Sequence, residues 1–113
     1  MKKFLVLAGL ASVVVVFSNC HSTKKVAATP KLTYQSNVLA VIQTSCAPCH
    51  IAGKGNKLPL DNYASASKNI DDILRRIQMN PTDRGFMPFK HDKLPDATIA
   101  IFKQWKSDGL LEK

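Results

Sequence analysis

The stretch Cys46-Ala47-Pro48-Cys49-His50 decides how this chain is read. Cys-x-x-Cys-His is the pattern by which a c-type haem is attached. The chemistry requires each residue where it stands. Two thiols add across the two vinyl groups of the macrocycle and form thioethers. Two intervening residues let both sulfurs reach one edge of the ring. The histidine beside the second cysteine supplies the proximal nitrogen to the iron. Two other uses of paired cysteines compete. Half of a zinc site needs a second Cys/His pair at ligand spacing, and His21 and His91 stand alone. A thioredoxin-like redox pair belongs with a βαβ pattern, and none surrounds Cys46 and Cys49.

Upstream of the motif, Val38, Leu39, Val41, Ile42, Ser45 and Cys46 recur at helical spacing, which predicts an amphipathic helix over Asn37 to Ser45 capped by Thr33 or Ser36. That helix delivers Cys46 to the haem edge. Downstream, Ile51 to Lys57 is a loop by composition. Leu58-Pro59-Leu60 is expected to pack on the haem, with a backbone carbonyl there, that of Pro59, accepting the other ring N–H of His50. Asp61 or Asn62 is placed to cap a short helix from Tyr63 to about Ser67. Ile70, Ile73, Leu74 and Ile77 mark a second, over Ile70 to Gln78. A turn-rich loop over Asn80 to Gly85 leads to Phe86-Met87-Pro88-Phe89, and Lys90 to Lys93 forms another loop. The last helix starts near Pro95 and Asp96, presents Ile99, Ile101, Phe102 and Trp105, and stops at Gly109. No stretch alternates as a strand does, and no internal repeat is present.

Haem iron has two axial positions. With His50 in one, the candidates for the other are Met87, His91, Met79 and His21. Met87 is the best placed, in a loop stiffened by Pro88 and flanked by Phe86 and Phe89. Met79, at a helix end, reads as core filler. Bis-histidine ligation through His91 is chemically sound and lowers the potential, whereas a thioether stabilises ferrous iron and raises it.

The other end of the chain reads as an export segment. Met1-Lys2-Lys3 is a positive leader, and the apolar run Phe4 to Phe17 is too short to span a bilayer comfortably. Phe17-Ser18-Asn19-Cys20 resembles a bacterial lipobox, in which the cysteine is lipidated and becomes the mature N-terminus. Residues 1–19 are thus expected to be a lipoprotein signal peptide. Residues 20–32 form a polar linker that, as a flexible coil, spans on the order of 20 Å. This predicts an exported protein on the periplasmic or cell-surface face of a bacterial membrane, anchored by acyl chains on Cys20; the alternatives are ordinary cleavage nearby, giving a soluble protein, or no cleavage.

The 113 residues suffice for one small domain, here 33–113. With 45% hydrophobic and 21% charged residues the chain is neither disordered nor generally membrane-embedded. Its net charge of +8 raises nucleic acid as a partner, but the bases are scattered and lack interleaved aromatics. A solvated surface, or a positive face steering an acidic redox partner, accounts for them instead.

Taken in order, Tyr34 through His50, Leu58 to Tyr63, Met87-Pro88 and Leu94 to Gly109 with Trp105 resemble a class I cytochrome c domain, in the small monohaem form of exported bacterial proteins. The resemblance covers about residues 33–112. It implies an all-α fold of three to five helices around one covalent haem c, with the first and last helices crossing near Trp105. It also implies axial ligation by His50 and Met87. Ala40 stands where that family often has proline and Ile51 where glycine is common; neither is a ligand. The function implied is single-electron transfer between membrane-associated redox partners, not catalysis. In that reading Lys54, Lys57 and Lys90 surround the exposed thioether edge. Two alternatives stay open. One is a haem enzyme or sensor with a labile sixth ligand, for which Arg84 near Met87 is the only hint. The other is a haem subunit of a larger respiratory complex.

Overall fold

The computed structural model describes residues 28–113. The expected signal peptide, Cys20, His21 and the first part of the linker lie outside the described residues.

Chain order in the folded part is a π-helical turn (Tyr34–Val38), α1 (Leu39–Ser45), α2 (Tyr63–Lys68), α3 (Ile70–Gln78) and α4 (Asp96–Ser107). Among the described residues this makes a small all-α bundle with no sheet. A single isolated parallel bridge joins Thr33 to Leu111. No described helix is long and apolar enough to cross a membrane.

The first helix begins earlier than the Asn37 that periodicity predicts. Thr33 caps it, its hydroxyl accepting from the Ser36 N–H at 3.2 Å. The opening turn is wide: the Leu39 N–H reaches back to the Tyr34 carbonyl. This spacing puts Tyr34, Val38 and Ile42 all inward. The polar run Gln35-Ser36-Asn37 hides that face from a reading based on apolar spacing alone. In α2 the cap is Asn62, whose Oδ1 accepts from the Ser65 N–H at 2.9 Å. The boundaries of α3 match its periodicity, with Ile70, Ile73 and Ile77 buried. Its acids, Asp71 and Asp72, lie in the first turn and its bases, Arg75 and Arg76, in the last, which complements the helix dipole. In α4 the Pro95 carbonyl accepts from Thr98 and Ile99, and at the far end Leu110 N–H returns to the Trp105 carbonyl. That return bond and the turn at Gly109 close the helix where the sequence places its stop.

The core is centred on an aromatic triangle. Tyr34 lies 5.9 Å from both Tyr63 and Trp105 by ring centroids, and Tyr63 and Trp105 are 6.4 Å apart. Each ring has a polar handle, and each handle finds a backbone carbonyl. Tyr34 Oη donates to Leu60 at 2.8 Å, Tyr63 Oη to Leu110 at 2.9 Å, and Trp105 Nε1 to Leu111 at 2.8 Å. The triangle thereby ties the first helix, the Leu60 segment, α2, α4 and the C-terminal tail to one another. Val38, Ile42, Ala66, Ile70, Ile73, Ile77, Leu94, Ile99 and Phe102 complete the buried cluster.

Candidate functional site

Cys46 is the residue on which α1 ends, its N–H still bonded to the Ile42 carbonyl at 3.0 Å. The chain keeps turning through the motif: His50 N–H donates to the Cys46 carbonyl at 3.0 Å and Ile51 N–H to that of Pro48 at 3.2 Å. Both cysteines are free thiols, Cys46 half-buried and Cys49 exposed. Gly55 lies so close behind the motif that a Cβ there would overlap the Cys49 carbonyl. The sequence marks that glycine only as loop; its role is to let one backbone rest on another.

His50 is oriented by a carbonyl in the expected segment. Its Nδ1 lies 2.7 Å from the Leu58 oxygen. A carbonyl only accepts, so Nδ1 is the protonated nitrogen of this contact, and in the neutral ring the lone pair is then on Nε2. The same segment fixes the histidine backbone, because Leu60 N–H donates to the His50 carbonyl at 2.8 Å. Leu60 is itself buried and held by Tyr34. A continuous path therefore runs from the aromatic core to the imidazole. Leu58 is 52% exposed. Asp61, named above as a possible cap, is used elsewhere. Its Oδ2 accepts from the Ala52 N–H at 3.1 Å and closes the Ile51–Leu60 loop, while its Oδ1 is buried without a partner.

Met87 is half-buried and packs against the core cluster. His91 is exposed and Arg84 is exposed. His91 lies on the rim of a cleft of about 470 Å³, bounded on one side by Thr44, Ser45 and Ala47 and on the other by Pro88 and the loop from His91 to Pro95. Of the Cys46–His50 motif only Ala47 lines this cleft, and Met87 does not. The cleft sets the residues beside Cys46 opposite the loop that follows Met87. A smaller groove of about 220 Å³, between Gln78, Lys93 and α4, touches none of the motif residues. Met79 does not fill the core as expected; it caps α3, with its sulfur 3.9 Å from Arg75 Nη1.

The chemistry of these donors can be tested against each use of the cysteines. Burial pushes the Cys46 thiol up to about 11. Thiol–disulfide exchange starts from a thiolate, and the buried Cys46 is not poised as that attacking group. Among the described residues no three His, Cys, Asp or Glu side chains gather as for a bare metal ion, which a closed zinc site requires. A covalently attached haem asks for two free thiols, an imidazole with Nε2 available and a soft or nitrogen donor nearby. Cys46, Cys49 and His50 supply the thiols and the imidazole, and Met87, half-buried in its own loop, is a soft donor of the right chemistry.

Two roles near the site carry no sequence signal of their own. Asp61 reads as a possible cap for α2, and nothing in its spacing announces the bond to Ala52 N–H. Arg76, whose side chain and carbonyl both reach the Met87 loop, is announced only by an Asp72-x-x-x-Arg76 spacing on α3. No family model, curated protein or solved structure matches the chain.

Proposed function

We propose that the chain is a small monohaem cytochrome of the class I type, an electron carrier and not an enzyme. One observation carries this most directly: inside a Cys-x-x-Cys-His motif, His50 Nδ1 is engaged by the Leu58 carbonyl at 2.7 Å, the outer contact that orients an iron-ligating imidazole and raises its basicity. In this reading Cys46 and Cys49 anchor the haem covalently, His50 Nε2 and the Met87 thioether hold the iron, and the bound group supplies a one-electron couple. The chain's own work is positional. Leu58 keeps the proton on Nδ1. Leu60 and the aromatic triangle fix the histidine backbone. Met87, half-buried beside Phe86, brings an apolar flank that excludes water.

Export and acylation at Cys20 are part of the proposal, because thioether attachment takes place outside the bacterial cytoplasm. The partner is a redox protein with an acidic docking face. Lys54, Lys57 and Lys90 are exposed, and Lys90 Nζ stands 5.3 Å from the centroid of the 65% exposed Phe89 ring. Charge of this kind acts mainly on the rate of encounter, and electron-transfer contacts are small and transient.

The test is to produce the chain in an exporting, haem-attaching host and to record its mass and spectra with and without Met87→Ala. The mass should show one haem, together with acyl chains on Cys20. The ferric protein should be low-spin with the weak near-infrared band of sulfur-to-iron ligation, and Met87→Ala should lose that band. A chain without covalent haem overturns the reading. A high-spin wild type, or an unchanged variant, removes Met87 as ligand and turns attention to His91 or to an open, reactive site.

A further inference from the structure

We infer that Arg76 is the positioning residue for Met87, clamping the loop that carries this side chain to the end of α3; the inference rests on the reading of Met87 as an iron ligand. Arg76 grips the loop twice. Its Nη1 donates to the Gly85 carbonyl at 3.2 Å, and its own carbonyl accepts from the Met87 N–H at 3.3 Å. The two grips fall on either side of Phe86, which is buried. The loop segment from Gly85 to Met87 is therefore held by a guanidinium, an aromatic anchor and a backbone bond in succession.

The guanidinium is itself held. Asp72, one helical turn back, accepts from Arg76 Nε at 2.6 Å, and its other oxygen pairs with Arg75. These bonds, that of Arg76 foremost, keep the Asp72 carboxyl below its usual range. The planar fork of arginine allows one edge to face Asp72 while another nitrogen faces Gly85, and a lysine ammonium has no such fixed geometry. The loop is shaped to receive it. Gly85 has φ +100°, and a Cβ there would come within 3.2 Å of Arg76 Nη1. Both observations say that the chain passes close to the guanidinium at a residue without a side chain. On the other side, Asp83 ties the loop to itself: Asn80 N–H donates to its Oδ2 at 3.0 Å, and Phe86 N–H to its carbonyl at 3.1 Å.

A neutral thioether is a weak ligand, so its hold on iron depends on how rarely the loop swings away. The side-chain grip of Arg76 raises the free energy of the open loop without touching the iron. Its loss should thus appear as easier displacement of Met87 by an added ligand. The experiment titrates the haem-loaded ferric protein with imidazole and follows the sulfur-to-iron band. Arg76→Ala should bind imidazole about tenfold more tightly, the consequence of losing one charge-assisted hydrogen bond. Arg76→Lys should shift in the same direction, because charge without the fork does not restore the clamp. It also decides the matter if the alanine variant does not load haem. Asn62→Ala, which weakens a different part of the fold, should leave imidazole affinity unchanged. Wild-type affinity in the Arg76 variants, or an equal rise in Asn62→Ala, overturns the inference while the electron-carrier reading stands. A wild type that lacks the band removes Met87 as the ligand, and this inference with it, while covalent haem on Cys46 and Cys49 would still stand.

Discussion

Tyr34 shows how a single side chain can be read for stability and for pH. It is 3% exposed, and its hydroxyl donates to the Leu60 carbonyl. Burial first, and the Asp61 charge second, push its phenol from 10.0 up to about 12. The folded chain therefore keeps this proton to higher pH than the unfolded chain. The resulting stabilisation is fully present below pH 10 and is lost as pH rises through about 12, a change of roughly 2–3 kcal/mol. Tyr34→Phe should be less stable at pH 7 by about 1 kcal/mol, from the unpaired Leu60 carbonyl. It should also lack the alkaline loss, so that the two stability profiles cross near pH 11 and the variant is the more stable by about 1–2 kcal/mol once pH passes about 12. Denaturant midpoints measured from pH 7 to 12 check this; parallel profiles would refute it. At this scale the sequence was informative where chemistry is local. Cys46, Cys49 and His50 declare themselves by spacing. The carbonyl partner of His50 was expected in the right segment but at Pro59; Leu58 supplies it, and the Pro59 carbonyl accepts from Ser65 Oγ instead. The roles of Tyr34, Asp61 and Arg76 did not declare themselves, because each depends on a backbone group that only the folded loops bring to the side chain.

Among the elements, α3 was legible to the residue because its apolar face is regular and unbroken. The first helix was not, because Tyr34 stands among the polar residues Thr33, Gln35, Ser36 and Asn37, which mask the inward face of its opening turn. The cap of α2 was legible only as a choice. Asp61 and Asn62 are both capable, and the decision comes from tertiary structure: Asp61 is occupied with the Ala52 N–H, so Asn62 takes the Ser65 N–H. Asn62→Ala should accordingly cost about 1 kcal/mol in a thermal or denaturant melt. A cost near zero would mean that Asp61 can exchange roles. The exposed pairs of Asp72 with Arg75 and Arg76, and the Lys106–Asp71 bridge between α4 and α3, add little stability by themselves. Their interest lies in what Asp72 holds still.

For the whole molecule, the order of motifs was enough to anticipate an all-α bundle with the first and last helices meeting at Trp105, but not the ties that fasten it. Those ties run through the C-terminal tail. Leu111 accepts from both Tyr34 N–H and Trp105 Nε1, Leu110 from Tyr63 Oη, and Glu112 from Gln35 N–H. Deleting residues 110–113 should cost at least about 3 kcal/mol, since several donors lose their partners together. It should lower the melting temperature by about 10–20 °C in a domain of this size. An unchanged melt would show that the tail merely lies on the surface.

The same tail has an architectural consequence. Leu32 N–H donates to Asp108 Oδ2 at 2.7 Å, and Thr33 bridges to Leu111, so the polypeptide enters and leaves the fold at one corner. A unit built this way is portable. It can be spliced into a surface loop of another protein, or strung in tandem with copies of itself, without prising its host apart, because the two splice points are already neighbours.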